Sequence, residues 1–174
     1  MLGNAFKALL VGIMLVATAS PVFSAGPYIG FAGGVSFLHD SNIDPLRCIN
    51  LNAGYNFDRF RLEGEFGHRS NSNGDVTIMS YMANGFFDFK NSSDFTPFIG
   101  AGLGAINGEL DNNAFHFEDT VFAYQLIAGI GLKLNQFNID LSYRFTGVPE
   151  SPNKNWDDLL YMSSNIYAGV RFNF

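Results

Sequence analysis

The sequence predicts an all-β protein: an eight-stranded antiparallel up-and-down barrel that crosses a membrane with its strands. Three observations predict it. Apolar residues recur at every second position along nearly the whole chain, and the connections between these stretches alternate between short and long. Hydrophobic residues make up 47% of the 174 positions and charged residues only 15%, whereas a soluble domain carries about 25% charged. That balance suits a chain whose exterior is not water.

The first segment stands apart. MLGNAFKALLVGIMLVATAS has one cation, Lys7, then an apolar run from Ala8 to Ala17, then small residues. This is the pattern of a secretory signal peptide, and it is too short to span a bilayer with polar flanks. The expected cleavage follows Ser24, with Ala19 the competing site, leaving residues 25–174 as the barrel domain. No later stretch has the length of an apolar spanning helix. Removing Lys7 with the leader leaves 9 basic and 16 acidic residues, a net charge of about −7. Nucleic-acid binding, which needs a basic stripe, is disfavoured. The single cysteine, Cys48, excludes an intrachain disulfide and a cysteine-rich metal site.

The strands follow from period two, because successive side chains on a strand point to opposite faces. In PYIGFAGGVSFL, at the start of the barrel, the alternation is diluted by glycine. In CINLNAGYNF, Ile49, Leu51, Ala53, Tyr55 and Phe57 oppose Asn50, Asn52, Gly54 and Asn56. In RFRLEGEFGH, Phe60, Leu62, Gly64 and Phe66 oppose Arg61, Glu63, Glu65 and Gly67. VTIMSYMANGFFDFK, FTPFIGAGLGA and VFAYQLIAGIGLKL continue the pattern. FNIDLSYRFTG sets Phe137, Ile139, Leu141, Tyr143 and Phe145 against Asn138, Asp140, Ser142, Arg144 and Thr146. The last strand, ending YAGVRFNF, sets Ile166, Ala168, Val170, Phe172 and Phe174 against Asn165, Tyr167, Gly169, Arg171 and Asn173.

The connections at Asp58-Arg59, Asn91 to Asp94 and Asn135-Gln136 are tight. Those near 39–46, 70–75, 107–119 and 148–160 are longer and polar. Short turns on one side and long loops on the other mark an outer-membrane barrel, with both termini on the short-turn, periplasmic side. The apolar faces carry no Asp, Glu, Lys or Arg. The opposite faces carry Arg61, Glu63, Glu65, Arg69, Asp88, Lys90, Lys133, Asp140, Arg144 and Arg171. A closed barrel of eight strands turns these groups inward, where they fill the lumen and must pair to be tolerated. Inward glycines such as Gly30, Gly34, Gly100, Gly102, Gly104, Gly129, Gly131 and Gly169 make room for them and ease tight coiling. Tyr28, Phe57, Tyr81, Phe89, Phe95, Phe137 and Tyr161 lie near strand ends, where interfacial girdles belong; Tyr28 has an inward alternative.

The run LEGEFGHRSNSNG, MANGFFDF, TPFIGAGLGA, QLIAGIGLKL and terminal YAGVRFNF resembles the small opacity-protein-like outer-membrane barrels of Gram-negative bacteria, the broader group of OmpA- and OmpX-like proteins. The resemblance covers about residues 27–174. It implies insertion by the outer-membrane assembly machinery, with Phe174, Phe172 and Val170 as part of the assembly signal. It implies no particular activity, since the family spans surface antigens, adhesins and proteins of other roles.

Three motifs invite chemistry. GAGLGA at 100–105 has dinucleotide-fingerprint spacing, but no helix follows it and its glycines run at period two, so strand glycine is the reading taken. His68 and Ser70 share a face near the long-loop rim, as a Ser-His pair would in an outer-membrane lipid A deacylase, yet no acid stands on a neighbouring outward position. His39, His68 and His116 have no metal-ligand spacing. No cofactor is implied. In the long connections, Phe115 and Phe117 lie among Glu109, Asp111, Glu118 and Asp119, and Trp156 lies beside Asp157 and Asp158. These are candidate contacts for a host or matrix ligand. The expectation is a monomeric, non-enzymatic surface scaffold, antigen or adhesin in contact with lipopolysaccharide. A narrow porin-like channel for small solutes or ions is the alternative, and a deacylase using His68 and Ser70 the third reading.

Overall fold

The structure is a computed structural model that describes residues 25–39, 45–71, 76–112, 115–149 and 162–174. The expected leader, most of the loop at 148–160 with Trp156, and Tyr161 lie outside the described residues. Eight strands follow one another: β1 (Ala25–Leu38), β2 (Leu46–Phe57), β3 (Phe60–Ser70), β4 (Val76–Asp88), β5 (Phe95–Asn112), β6 (Phe115–Leu134), β7 (Phe137–Gly147) and β8 (Met162–Asn173). Each pairs antiparallel with its sequence neighbours, and β1 closes on β8 from Tyr28 opposite Asn173 to Leu38 opposite Ser163. Closure leaves no unpaired edge, the condition for strands to lie in hydrocarbon.

Alternation has the expected sense. Ile29, Phe31, Leu51, Leu62, Ile99, Leu103, Leu126, Leu141, Ile166 and Val170 are exposed, while Arg61, Glu63, Glu65, Asn84, Gln125, Arg144 and Asn165 are buried. This is the inverse of a soluble domain. The exposed apolar wall faces lipid, and the middle of the interior carries polar and charged side chains.

The short-turn end is tight. Phe57 pairs with Phe60 around Asp58-Arg59, and Leu134 with Phe137 around Asn135-Gln136. Asp58 (φ 75°) and Asn135 (φ 54°) take the left-handed conformation, which Asn and Asp adopt more readily than other non-glycine residues. Aromatic rings cluster in two groups at this end. Phe60 packs on Phe87, Phe87 on Phe89, Phe137 on Phe172 and Phe172 on Phe174, with centroids 5.0–5.2 Å apart. The Phe174 amide donates to the Pro27 carbonyl at 3.1 Å, tying the chain end to the first strand.

One expectation is corrected and one alternative is decided. Residues 107–112 and 115–119, expected in a loop, are strand: β5 and β6 stay paired from Asn107 opposite Thr120 out to Asn112 opposite Phe115. The sequence there is rich in acidic and polar residues and reads as a connection, while backbone pairing continues regardless. Tyr28 does not join the girdle. It is 1% exposed and points into the lumen, where its hydroxyl donates to Glu63 Oε2 at 2.9 Å.

Candidate functional site: the filled lumen and its two ends

The lumen is built in layers by inward residues of different strands. Nearest the short turns, Arg61 on β3 donates through Nε and Nη2 to both carboxylate oxygens of Asp88 on β4 at 2.9–3.1 Å. Its guanidinium lies over the rings of Phe86 and Phe98, 4.3 and 5.0 Å from their centroids. Arg171 on β8 makes the matching two-point contact with Asp140 on β7, its Nη2 to Oδ1 at 2.9 Å, and lies over Tyr28. Two-point guanidinium–carboxylate pairs fix direction as well as charge.

One layer up, Arg144 pairs with Glu65 across the barrel and lies over the Tyr167 ring. Asn84 bridges Glu63 and Glu65 through its amide nitrogen and accepts a 2.6 Å bond from Gln125. Glycine makes this possible at defined points. A Cβ at Gly34 would strike the Ile166 carbonyl and come within 2.8 Å of the Tyr167 ring, and one at Gly54 would come within 2.7 Å of the Tyr28 ring. Arg69 is buried higher in the barrel, in the zone of Cys48 and Tyr167.

The charged positions named from sequence therefore divide. Arg61, Glu63, Glu65, Arg69, Asp88, Asp140, Arg144 and Arg171 lie inside the barrel. Lys90 and Lys133 lie at its short-turn mouth, exposed, and Lys90 pairs with Asp58 in the neighbouring β2–β3 turn. The mouth opens into a vestibule of about 380 Å³ lined by Lys90, Lys133, Asn56, Asn138, Arg171 and Phe174, among others. Deeper, between Arg61, Glu63, Arg144 and Arg171, the free space shrinks to about 30 Å³, room for one or two waters.

Sequence reasoning missed the loop end of the lumen. Leu46, Ile78, Met82, Ile106, Ala123 and Val148 form a buried apolar cluster there, with Leu38 and Val121 packed on it. These residues occupy the inward parity, and a search for charges on that parity passes over them. The available signal was apolar residues on both faces at once, as at Ile78-Met79.

His68 and Ser70 lie on the outer wall at the loop end of β3, opposite Ile49 and Arg47 of β2. No carboxylate pairs with His68 among the described residues, and they contain no cluster of three metal-ligating side chains. Phe115 and Phe117 stand on the outer part of the β5–β6 hairpin, opposite Asn112 and Leu110. Gly100 and Gly102 of the fingerprint-like motif are inward strand positions packed on Phe86 and Asn84.

A closed antiparallel barrel with an apolar wall, aromatics clustered at one end and a charged interior is an integral outer-membrane β-barrel. The chain belongs to the outer membrane protein beta-barrel domain family, which matches residues 6–174. It is 34% identical over 159 residues to the outer membrane protein PagN of Salmonella typhimurium, a match covering 80% of this chain and 62% of PagN. The chain thus spans somewhat under two thirds of that relative's length. The crystal structure of Neisserial surface protein A superposes with a TM-score of 0.74 at 19% identity, covering 87% of this chain and 100% of that one. The attachment invasion locus protein Ail of Yersinia pestis, in complex with the heparin analogue sucrose octasulfate, gives a TM-score of 0.57 at 18% identity, covering 87% of this chain and 98% of Ail. Both structures bear out the OmpA/OmpX-like eight-stranded fold.

Proposed function

We propose that the protein is a monomeric, non-enzymatic surface scaffold whose binding work is done beyond the membrane, by the β5–β6 hairpin and the long connections at 40–44, 72–75 and 150–161. The observation that carries this reading is the filled lumen. Ion pairs occupy its middle and an apolar cluster its loop end. With the interior committed to packing, the surface left for a partner is the one displayed above the bilayer, carried on a rigid barrel.

The resemblance in fold to Ail, a protein named for attachment and invasion, supports an adhesive role. The partner differs in charge from the polysulfated compound bound to Ail. This hairpin carries Glu109, Asp111, Glu118 and Asp119, which repel polyanions and favour a basic or neutral partner surface. Phe115 and Phe117 on this hairpin, and Trp156 in the connection after β7, are the candidate apolar contacts. The leader at 1–24 delivers the chain for export, and the terminal Phe174, Phe172 and Val170 present it to the assembly machinery.

The test replaces residues 107–119 and residues 150–161, separately, with short Gly-Ser turns. Binding of displaying cells to host cells and matrix proteins is then measured. Lost binding with an intact, heat-modifiable barrel supports the proposal. Undiminished binding by both variants, or none by the natural protein, overturns it.

A further inference from the structure

β2 begins two residues earlier than alternation alone suggested, and this places Arg47 on the outward face, exposed, at the loop end of the strand. Among the described residues it is the only Lys or Arg at an outward strand position. Its neighbours in register are Val35 on β1 and Ser70 on β3, and Ser70 in turn stands opposite Thr77 on β4. His68 is diagonal to Arg47, one outward step nearer the membrane, opposite Ile49 and Met79, which are exposed and apolar.

The depth of this row follows from the strand path. From the girdle residue Phe60 to Ser70 the chain runs about 33 Å, covering about 25 Å of depth at a tilt near 40°. The row Arg47-Ser70-Thr77 therefore sits where hydrocarbon ends and headgroups begin. At the short-turn end the exposed Lys90 has a carboxylate partner, Asp58. Arg47 has none among the described residues. An ionisable group on the lipid wall calls for a partner, and at this depth the strong anions are lipid phosphates. Guanidinium groups bind phosphate at two points. The hydroxyls of Ser70 and Thr77, spaced about 5 Å apart across the ladder, are further donors beside it. On its other side Thr77 of β4 is paired in register with Glu109 of β5.

We propose that Arg47, Ser70 and Thr77, flanked by His68, form an outer-wall site for a phosphate of the outer-leaflet glycolipid. On this reading His68 and Ser70 contact lipid headgroups and do not act as a hydrolytic pair.

The experiment uses the protein purified from outer membranes and placed in phosphatidylcholine nanodiscs. Bisphosphorylated lipid A or its dephosphorylated form is added, and retained lipid is measured by native mass spectrometry. Wild type is expected to prefer the phosphorylated form by about tenfold, the size of one charge-assisted contact. Arg47→Gln removes the preference, Arg47→Lys keeps part of it, and Lys133→Gln at the opposite mouth leaves it unchanged. Millimolar inorganic phosphate does not displace the lipid, and no fatty acid is released. Should Arg47→Gln fail to give a heat-modifiable barrel, the Ser70→Ala/Thr77→Val double variant is expected to lower the preference severalfold. Equal retention of the two lipids, an unchanged preference in the variants, displacement by free phosphate, or fatty-acid release lost in Ser70→Ala would each overturn the proposal.

Discussion

Glu65 and Arg144 are 79 positions apart in sequence and meet in the centre of the lumen. A buried pair of this kind holds a structure together chiefly because losing one member strands the other, at about 3–5 kcal/mol. Arg144→Met is therefore expected to lower stability by about that amount. The double variant Glu65→Gln/Arg144→Met should recover most of it, since no uncompensated charge remains. Urea titration in lipid vesicles, read by band shift on unheated gels, measures both; no recovery in the double variant would contradict the pairing. The outer wall has the opposite requirement. Leu141 is 55% exposed towards lipid, and Leu141→Arg should cost about 2–4 kcal/mol and reduce assembled barrel in the membrane. Its neighbour Ser142 points inward against Gly129 of β6, and Ser142→Ala should assemble normally. Equal yields from Leu141→Arg and Ser142→Ala would invert the assigned facing.

Among the elements, β8 carries the closing seam and the end of the chain. Phe174 is 63% exposed, rests edge-on against Phe172, and has its amide bonded to β1. It contributes little buried area inside the barrel, so its removal is expected to affect arrival at the membrane more than stability after folding. Deleting Phe174 should lower the amount of heat-modifiable protein in outer membranes while leaving the urea midpoint of the refolded barrel within about 0.5 kcal/mol of wild type. Normal amounts in the membrane would remove the assembly-signal role. The β5–β6 hairpin is the other distinctive element. It continues beyond the Arg47-Ser70-Thr77 row to Asn112 and Phe115, so backbone pairing supports the acidic stretch proposed to meet partners.

For the molecule as a whole, the decisive quantity is the width of the passage. A vestibule of about 380 Å³ at the short-turn mouth narrows to about 30 Å³ among the arginines, and an apolar cluster closes the loop end. Ions would have to part buried ion pairs and then cross a dry constriction. The natural barrel is expected to show no unitary conductance in planar bilayers. Ile78→Gly/Ile106→Gly, which opens the apolar cluster while leaving the ion pairs intact, should still show none. Steady conductance by the natural protein would restore the channel reading.

By itself the sequence determined the strand count, the antiparallel order, the end bearing the tight turns, and the face of each strand that meets lipid. Each of these is local: a period of two, a turn residue such as Asn135, an uncharged set of alternate positions such as Ile139, Leu141, Tyr143 and Phe145. Only the tertiary structure decided which inward charge meets which, as Arg61 with Asp88 and Arg144 with Glu65, because partners across a barrel depend on the stagger at closure and leave no mark in local spacing. The same holds for the apolar cluster assembled from β2, β4, β5, β6 and the segment after β7, and for Arg47. That residue lies at a strand's edge, where one further rung of backbone hydrogen bonding turns a loop residue into a cation on the membrane wall.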